Sequence, residues 1–447
     1  MGKKKRTLVV GLGKSGVAAC RFLVRRGHAV VALDQADNER TRVRAAELAP
    51  LGVEARLGSA DWPEDVDQVV TSPGVDPAQL TLYRARKIPV IGELELGCRE
   101  IAVPYVAVTG TNGKSTVVTN LEKGLRMDGK RVRALGNLGN PVTEWVDSGE
   151  EADFLVFEVS SYQLETIETF HPHVAVILNI APDHISRHPT LKDYLTAKAR
   201  VADNQTIEDA LLLHRDLSLY PELQKTRGRL YWYGRDLDPS RDGLSLGGNR
   251  LMWRGEGPGW SREVRLEGLF PHEIDNLMAV VAVMTLLGVS PDSSTRLFED
   301  PARLTHRLER VATVSGVVYL NDSKATNAHA AIAALRAVAG RVIWLVGGEG
   351  KGEDLSDLVN AARDCGVGLA ICFGRDRGIF AGALQSVVPV ELRETLNRAF
   401  ELAAHRAQPG DTVLLSPAGA SFDEFTSFED RGERFKEWVA ALKERAA

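Results

Sequence analysis

Short apolar runs alternate with longer amphipathic stretches over the first hundred residues. TLVVGLG, AVVALD, VDQVVTSPG and KIPVIG are strand candidates, and KSGVAACRFLVRRG has the spacing of a helix. Strands that alternate with helices in this way are typical of a parallel sheet. The pattern predicts a first α/β domain over residues 1–103, which ends near Pro104.

The same alternation returns twice further along the chain. YVAVTG, DFLVFEVS and HVAVILNIA are continuous apolar runs that suit strands buried on both faces, and they predict a second domain over residues 104–300. Within it, residues 228–266 are more polar and rich in Gly, Trp and Arg, as in hairpins or an inserted antiparallel section. VVYLNDS, RVIWLVGG, GLAICFG and TVLLSP predict a third domain over residues 301–447.

Composition and charge narrow the class of protein. Lys and Arg total 55 and Asp and Glu total 60 in 447 residues, and this net charge of −5 does not indicate a nucleic acid or an anionic membrane as partner. No apolar run approaches the roughly 18 residues that span a bilayer. The first residues are charged and pass directly into a strand, unlike a signal peptide, and the four cysteines lack CxxC or zinc spacing. We therefore expect a cytoplasmic protein.

Two glycine-rich turns follow strand candidates. In the first, Gly11, Gly13 and Gly16 fit the GxGxxG pattern, and Asp34 ends the next strand candidate. Taken alone, this arrangement is typical of a dinucleotide site, in which backbone amides hold a diphosphate and the acid binds a ribose. A strand–helix turn without a ligand and a site for another diphosphate are both open alternatives.

The second turn, TGTNGKST, ends in the Lys-Ser pair of a phosphate-binding loop. The usual first glycine is missing, because Val108 stands five positions before Gly113. We expect Lys114 to reach terminal phosphates and Ser115 to bind Mg²⁺. Glu158 is the one charge in its apolar strand candidate, and a lone buried carboxylate is costly. It is therefore expected at a metal site, with a salt bridge as the alternative.

Further polar clusters follow strand candidates, where ligands bind in doubly wound sheets. Asn179, Asp183 and His184 follow one strand of the second domain, with an ordinary loop histidine as the alternative for His184 and a helix N-cap as the alternative for Asp183. In the third domain the clusters are LTHRLERV, YLNDSKATN, GGEGKGEDL and LLSPAGASFDEFTSFEDRGERF, which together favour a polar, amino-acid substrate over ordinary turn chemistry. From the residues alone, Lys198 in DYLTAKARVADNQ is expected to be a surface or salt-bridging lysine, and the nearby His188 is expected at the surface.

Taken together, TGTNGKST, EVSSYQLE, NIAPDH, the GxxxHxxxN pattern from residue 268 and HRLE resemble the Mur ligase family of ATP-dependent amide-bond ligases. The resemblance extends over residues 11–431, and NDSKATN with LSPAGASFDEFTSFEDRG resembles the branch that adds D-glutamate. It implies an α/β fold of three domains in series. These are an N-terminal Rossmann-like domain, a central P-loop-like ATPase domain with a parallel sheet, and a C-terminal Rossmann-like domain.

The resemblance also implies a reaction. ATP would phosphorylate the carboxylate of UDP-N-acetylmuramoyl-L-alanine, and the D-glutamate amine would then displace phosphate, in a cytoplasmic step of peptidoglycan precursor synthesis. Both steps develop charge, which favours cationic side chains and Mg²⁺. The expected partners are these small molecules alone, with no nucleic acid and no membrane, and the protein is expected to be a monomer.

The resemblance assigns roles by position. The expected ATP contacts are Gly110, Thr111, Asn112, Gly113, Lys114, Ser115, Thr116, Asn276, Arg307 and Asp322. The expected contacts of the UDP substrate are Lys14, Ser15, Asp34, Ser72, Gly74, Asn137 and His184. The expected D-glutamate contacts are Thr326, Lys351, Ser421, Phe422 and Phe428. The expected Mg²⁺ ligands are Ser115, Glu158, His184 and a carbamylated Lys198. Lys114, His184, Lys198 and Lys351 are the expected catalytic residues.

The sequence departs from the family pattern at a few positions. Glu273 stands where the family often has Asn, and Gln35 follows Asp34 where a small hydroxyl residue is usual, so adenine and uracil contacts there stay open. Three other functions are alternatives: an NAD-dependent oxidoreductase built on the first turn, a ligase that extends folates with glutamate, and a non-catalytic nucleotide-binding protein.

Overall fold

Three sheets form in this computed structural model, which describes residues 4–59, 62–181, 187–350 and 352–446. The first sheet has the order β3-β2-β1-β4-β5, and all its strands are parallel. Its strands are β1 (Arg6–Val10), β2 (Ala29–Asp34), β3 (Glu54–Leu57), β4 (Gln68–Thr71) and β5 (Val90–Gly92). Its helices are α1 (Lys14–Arg25), α2 (Glu39–Leu48), α3 (Thr81–Ala85) and α4 (Glu93–Cys98). The βαβ prediction for this region is confirmed.

The second sheet has the order β14-β13-β12-β11-β10-β9-β6-β8-β7. Its strands are β6 (Tyr105–Thr109), β7 (Val132–Gly136), β8 (Phe154–Glu158), β9 (Val174–Ile177), β10 (Ala210–His214), β11 (Arg229–Arg235), β12 (Gly243–Gly247), β13 (Arg250–Arg254) and β14 (Trp260–Glu263). The accompanying helices are α5 (Lys114–Met127), α6 (Val142–Ser148), α7 (Ser161–Leu164), α8 (Leu191–Ala199), α9 (Pro271–Leu286) and α10 (Pro291–Thr295).

This second sheet is mixed rather than wholly parallel. Strands β12, β13 and β14 pair antiparallel, as the polar composition of residues 228–266 indicates. They are not a separate insertion, because β12 pairs in parallel with β11, and β11 pairs in parallel with β10. The antiparallel strands therefore extend the parallel sheet at the edge farthest from β7.

The third sheet has the order β15-β16-β20-β17-β18-β19. Its strands are β15 (Glu309–Val314), β16 (Val317–Asn321), β17 (Val342–Gly347), β18 (Val367–Phe373), β19 (Val390–Leu392) and β20 (Thr412–Ala418). Only the β15–β16 pair is antiparallel among these described strands. The helices are α11 (Ala328–Ala337), α12 (Ser356–Asp364), α13 (Arg377–Leu384), α14 (Leu396–Arg406) and α15 (Phe428–Ala446).

The strands of the three sheets fall inside the three predicted segments, whose exact boundaries stay a prediction. By compactness the chain divides into two units rather than three. The first comprises Met1–Ile180, Lys192–Glu267 and Asp275–Pro301, and the second comprises Ala181–Leu191, Gly268–Ile274 and Ala302–Ala447. The first two sheets thus share one unit. Within the described part of the chain, no helix has the length and apolar character required to cross a membrane.

A buried carboxylate joins the first two sheets. Helix α6 begins without a side-chain cap from its own residue Pro141. Instead Glu93, the first residue of α4, accepts hydrogen bonds from the backbone N–H and the hydroxyl of Thr143, both at 2.7 Å. Burial raises the pKa of Glu93 to about 7. Two residues further, the buried Glu95 accepts hydrogen bonds from the backbone of Thr169 and its neighbours.

Both glycine turns lie at switch points of the topology. Strand β1 lies between β2 and β4, and β6 lies between β8 and β9, so successive connections leave each strand toward opposite sides. In open α/β sheets, such a point opens a crevice beyond the carboxyl ends of the strands, where ligands bind. The turns at residues 11–13 and 110–113 follow β1 and β6 directly.

Candidate active site

The first glycine turn is held close to its helix. Gly11 has φ +89°, which favours glycine, and a Cβ added to Gly16 would lie 1.8 Å from the Gly11 carbonyl oxygen. The Ser72 hydroxyl donates to that same oxygen at 2.9 Å. The glycines and Ser72, which follows β4, therefore fix one narrow turn at the end of the first sheet.

Asp34 and Lys14 connect the first turn to two neighbouring segments, β2 and the loop at residues 136–140. The Asp34 carboxylate accepts the backbone N–H of Leu12 at 2.7 Å and that of Ala36 at 2.9 Å, so it ties the turn to β2. The exposed Lys14 begins α1, and its Nζ lies 3.6 Å from where a Cβ of Gly139 would stand. Ser15 is half-buried, and Gly74 faces open space. The first turn thus reaches the loop at residues 136–140 of the second sheet.

A cavity of about 610 Å³ lies beside Lys14. Its wall carries both signs of charge: Lys14, Arg21, Arg25, Arg44, Glu47, Glu144 and Asp147. Arg25 is paired with Asp147 at 2.9 Å, and Arg21 is paired with Glu47 at 3.0 Å. Mutually paired charges of this kind make the cavity polar without giving it a strong net charge.

The second glycine turn has a different support. Gly110 has φ +149° and Gly113 has φ +89°. A Cβ at Gly113 would lie 2.5 Å from Oδ1 of Asn276, a residue of α9. No larger residue fits at Gly113 without displacing Asn276. The Gly113–Asn276 approach, which sequence spacing alone does not reveal, brings a predicted ATP residue onto the turn.

Asn179 holds this turn from the neighbouring strand. Its side-chain Oδ1 accepts the backbone N–H of Asn112 at 2.8 Å, and its Nδ2 donates to the Asn112 carbonyl at 3.0 Å. Its own carbonyl accepts the N–H of Thr111 at 3.1 Å. One asparagine at the end of β9 therefore fixes the conformation of the turn after β6.

Two lysines converge on one carbonyl oxygen. Lys114 Nζ donates to the Gly110 carbonyl at 2.8 Å and to the Thr111 carbonyl at 2.9 Å. Lys198 Nζ donates to the same Gly110 oxygen at 2.9 Å. Lys198 is only 1% exposed, so the expectation of a surface lysine is wrong, whereas its family-based role as a metal ligand stays a prediction.

Glu158 is the last residue of β8, the strand that pairs with β6. It is 3% exposed, and its Oε1 accepts a hydrogen bond from Asn137 Nδ2 at 2.8 Å. Its Oε2 is buried and makes no hydrogen bond within the described ranges. In the β6–β8 register Glu158 stands beside Val108, immediately before the turn. A buried anionic oxygen without a partner is costly unless a cation joins it.

These donors fit a magnesium ion. Mg²⁺ prefers oxygen ligands, and Ser115 supplies a hydroxyl, 6% exposed as a residue, in the first turn of α5. Next to it, Thr116 Oγ1 is buried and has no hydrogen-bond partner in the described chain. No cluster of three or more His, Cys, Asp or Glu side chains suited to a metal occurs among the described residues. His184, the other predicted ligand, lies outside the described residues.

The second unit presents a buried acid after β16. Asp322 accepts the hydroxyl of Ser416 at 2.8 Å and the N–H of Leu308 at 3.2 Å. Burial raises the pKa of Asp322 to about 7, although the nearby Arg307 charge acts in the opposite direction. Arg307 also lines a cavity of about 580 Å³ together with Phe270 and residues of β15 and β16.

The predicted D-glutamate residues occupy neighbouring loops of this unit. The Ser323 hydroxyl donates to the Phe428 carbonyl at 2.8 Å, and Lys324 Nζ lies 5.3 Å from the centre of the Phe428 ring. Ser421 is buried, Thr326 and Phe428 are half-buried, and Phe422 is 70% exposed. The structure therefore brings together the loops after β16 and β20. Lys351 lies outside the described residues.

Sequence reasoning missed Tyr194, a side chain near the second turn. The Tyr194 hydroxyl lies 3.2 Å from Thr111 Oγ1, and its ring centre lies 4.6 Å from Lys198 Nζ. Tyr194 and Lys198 are four residues apart on α8, and this i, i+4 spacing is a sequence signal for such a contact. His188 is 6% exposed, so its expected surface position is wrong.

Comparison with known proteins adds independent findings. The chain matches three family models: "Mur ligase MurD-like, N-terminal domain" over residues 5–92, "Mur ligase middle domain" over 108–284, and "Mur ligase, glutamate ligase domain" over 306–419. It is 37% identical to the UDP-N-acetylmuramoylalanine–D-glutamate ligase of Desulfosudis oleivorans, over 99% of this chain and 97% of that one. It is 38% identical to the ligase of that name from Pelotomaculum thermopropionicum, over 98% of each chain.

Solved structures share the fold at much lower identity. The MurF ligase of Thermotoga maritima, solved in complex with ADP, has 16% identity and a TM-score of 0.62 over the full length of both chains. MurC from the same organism has 17% identity and a TM-score of 0.59, over 99% of this chain and 100% of that one. With family models over all three sheets and relatives that align along nearly its whole length, the chain belongs to the Mur ligase family.

Proposed function

We propose that this protein is the ATP-dependent ligase that joins D-glutamate to UDP-N-acetylmuramoyl-L-alanine. The observation that carries the proposal is the turn at residues 110–113. The Lys114 ammonium lies there on the Gly110 carbonyl, and the buried Glu158 on the neighbouring strand β8 has an oxygen without a hydrogen-bond partner in the described chain. The full-length relatives named for this reaction supply the substrates.

The reaction needs activation because a carboxylate is a poor electrophile. A carboxylate oxygen of the L-alanyl group attacks the γ-phosphorus of ATP, the bond to the β-phosphate oxygen breaks, and ADP leaves. The D-glutamate amine then attacks the acyl phosphate carbon. Collapse of the tetrahedral intermediate breaks the carbon–oxygen bond, and phosphate leaves as the amine nitrogen loses a proton. The amide product retains both amino-acid side chains.

Lys114 and the turn provide the charge for the first step. In the described conformation its ammonium rests on the Gly110 and Thr111 carbonyls, 2.8 and 2.9 Å away. A γ-phosphate offers a stronger, charged acceptor, so we expect the ammonium to transfer to it. The backbone N–H groups at the start of α5 then face the phosphate oxygens. Asn276, Arg307 and Asp322 are proposed to hold the remainder of ATP.

Ser115 and Glu158 are proposed to hold one Mg²⁺, and His184 and Lys198 a second. When bound, the ions neutralise phosphate charge as it develops. Asn137 keeps Glu158 Oε1 in place through the 2.8 Å hydrogen bond, so Oε2 is left to face a cation. This second-sphere contact orients the ligand.

Lys198 is proposed to act as a carbamate. A buried ammonium beside a metal site would repel the cation, whereas addition of CO₂ to the neutral amine, with loss of a proton, yields an anionic oxygen ligand. The burial of Lys198 beside Tyr194 and the turn supports this proposal, since a carbamate there is shielded from bulk water. The modification reverses the sign of the charge at this position.

The substrates are assigned to two further regions. The first glycine turn and its surroundings are proposed to hold the UDP substrate, through Lys14, Ser15, Asp34, Ser72 and Gly74, with Asn137 and His184 from the second domain. Thr326, Lys351, Ser421, Phe422 and Phe428 are proposed to bind D-glutamate. We propose that the protein acts in the cytoplasm as a monomer.

The test is phosphate release by the purified protein. With ATP, Mg²⁺, UDP-N-acetylmuramoyl-L-alanine and D-glutamate, phosphate and the ligated product should form, and omission of any one component should stop both. L-Glutamate, L-alanine and a diamino acid replace D-glutamate as controls. Turnover with one of these and not with D-glutamate would reject the proposed substrate.

A further inference from the structure

Arg431 lies in the first turn of α15 and is fully buried. Its Nε donates to the Ser323 hydroxyl at 2.9 Å, its Nη2 to the Ser323 carbonyl at 2.8 Å, and its Nη1 to the Gly419 carbonyl at 3.1 Å. All three acceptors are uncharged. Within the described ranges Arg431 forms no ion pair with a carboxylate.

A guanidinium in this setting is expensive. Burial lowers the pKa of Arg431 to about 10, although the charges of Asp423, Glu424 and Asp322 act in the opposite direction, so the group stays charged at neutral pH. Burying a charge without an ionic partner costs folding free energy, and an apolar side chain of similar volume is usually the more stable choice. The cost of this burial makes the contacts that Arg431 forms the feature to explain.

The acceptors of Arg431 belong to loops from different parts of the second unit. Ser323 lies in the loop after β16, three residues before Thr326. Gly419 follows β20 and lies two residues before Ser421. Each loop carries a residue proposed to bind the amino acid. Arg431 itself stands one helical turn after Phe428, so α15 contributes a third such residue.

The loop after β17 joins the same cluster. A Cβ at Gly348 would lie 3.2 Å from Arg431 Nη1, so the guanidinium touches this loop as well. Glu349 and Ala420 exchange two backbone hydrogen bonds, of 2.9 and 2.8 Å, which couple the loop after β17 to the loop after β20. One side chain thus contacts the three loops that follow β16, β17 and β20.

We propose that Arg431 is the positioning residue of the amino-acid site. Its planar fork fixes the loops at Ser323, Gly348 and Gly419 relative to one another, and these loops present the groups that bind the incoming amino acid. Arg431 does not touch the substrate in this role. A lysine offers no rigid fork and cannot span the same acceptors. The identity of the amino acid as D-glutamate rests on the proposed function.

The kinetic test compares Arg431→Met, Arg431→Lys and the control Arg434→Gln. Arg434 lies on the same helix, is 55% exposed and pairs with Glu437 at 3.0 Å. In Arg431→Met we expect KM for the amino acid to rise about tenfold or more, because its loops lose three hydrogen bonds, with a smaller rise in KM for ATP, since Asp322 lies in one of these loops, and a change of less than about twofold in KM for the UDP substrate. Arg431→Lys should be intermediate and Arg434→Gln unchanged.

Hydrogen exchange supplies a readout that does not depend on turnover. Amides of residues 322–327 and 419–428 should exchange faster in Arg431→Met than in the wild type, and at the wild-type rate in Arg434→Gln. If Arg431→Met does not fold, Ser323→Ala replaces it. This change removes one acceptor and should raise KM for the amino acid about threefold, with faster exchange in the same segments.

Two results would overturn the proposal. One is a folded Arg431→Met protein whose KM for the amino acid is within twofold of the wild type. The other is an equal rise in all three KM values, which would indicate a general structural role. If the wild type ligates another amino acid, the proposed function fails, and the same comparison with that amino acid decides the role of Arg431. If it ligates none, the hydrogen-exchange comparison decides it.

Discussion

The turn at residues 11–16 and the turn at residues 110–115 each lead from an inner strand of a sheet into a helix. Gly11 and Gly113 share φ +89°. Their surroundings differ in charge. The Gly11 carbonyl accepts the neutral hydroxyl of Ser72 at 2.9 Å, whereas the Gly110 carbonyl accepts ammonium groups of Lys114 and Lys198 at 2.8 and 2.9 Å.

This difference separates what glycine spacing does from what charge does. Spacing fixes backbone geometry, with positive φ and a close approach of helix to strand. The ligand is selected by side chains from other segments. Lys198 lies 88 residues from Gly110 in sequence, and Glu158 arrives from a neighbouring strand. A GxGxxG pattern therefore indicates a phosphate-holding turn without indicating whose phosphate it holds.

The largest expected difference is between the two lysines that begin α1 and α5. Lys114→Ala should reduce phosphate release about a thousandfold, because a preorganised charge on the transferred phosphate is lost. Lys14→Ala should raise KM for the UDP substrate by about tenfold at most, since an exposed ammonium contributes little. Steady-state kinetics of both variants give the rate of phosphate release and KM for the UDP substrate. Equal losses in kcat would remove the distinction between the turns.

Lys198 should follow Lys114 in importance. Lys198→Ala should reduce kcat about a hundredfold, because the proposed carbamate ligand is lost, and added formate or acetate should restore part of the activity. Lys192→Ala, an exposed lysine on the same helix, is the control and should behave as wild type. Unchanged turnover of Lys198→Ala would contradict the carbamate. So would the absence of a carbamate signal in carbon NMR after supply of labelled CO₂.

Gly13 and Gly113, which directly precede Lys14 and Lys114, test the backbone geometry of the two turns. Gly113→Ala should cost about 2 kcal/mol in the free energy of unfolding, because φ is +89° and the new methyl group would lie 2.5 Å from Asn276 Oδ1. Gly13→Ala should be close to neutral, since φ is −68° and the space around it is open. Thermal unfolding of both proteins gives the answer, and a similar loss in the two would contradict the geometry.

The last expected effect concerns the pH dependence of stability. The pKa of Glu93 is raised from 4.5 to about 7, so the folded protein binds this proton more tightly than the unfolded chain. Its contribution to stability should therefore fall as pH rises from about 4.5 to 7, by at most about 3 kcal/mol, and stay constant above. Asp322, whose pKa is also raised to about 7, adds a contribution of the same sign.

Glu93→Gln isolates the part due to Glu93. The variant should lose less stability than the wild type between pH 5 and pH 8, as measured by chemical denaturation at each pH. The glutamine side chain stays buried and keeps an oxygen acceptor for Thr143, so the variant should still fold. An identical pH dependence in both proteins would show that Glu93 does not titrate in this range.

The sequence predicts the three sheets well because its strands are local apolar runs, and it predicts the carboxyl-end clusters because topology follows from βαβ order. It does not predict contacts between distant segments. Apart from Tyr194 four residues earlier, the local sequence of Lys198 is that of a surface lysine, and its contact with Gly110 spans 88 residues. Glu93 contacts Thr143, 50 residues away in sequence, and Arg431 contacts Ser323, 108 residues away. No local sequence pattern predicts either pair.

The cap that Glu93 supplies to α6 has a consequence for folding cooperativity. The first-turn N–H of Thr143 has its partner on α4, which belongs to the first predicted domain. A fragment that begins at residue 104 would leave the Thr143 N–H without this acceptor, and the N-terminal end of α6 would fray. The two sheets should therefore unfold in one transition, because α6 beside the second sheet depends on a cap from α4 beside the first.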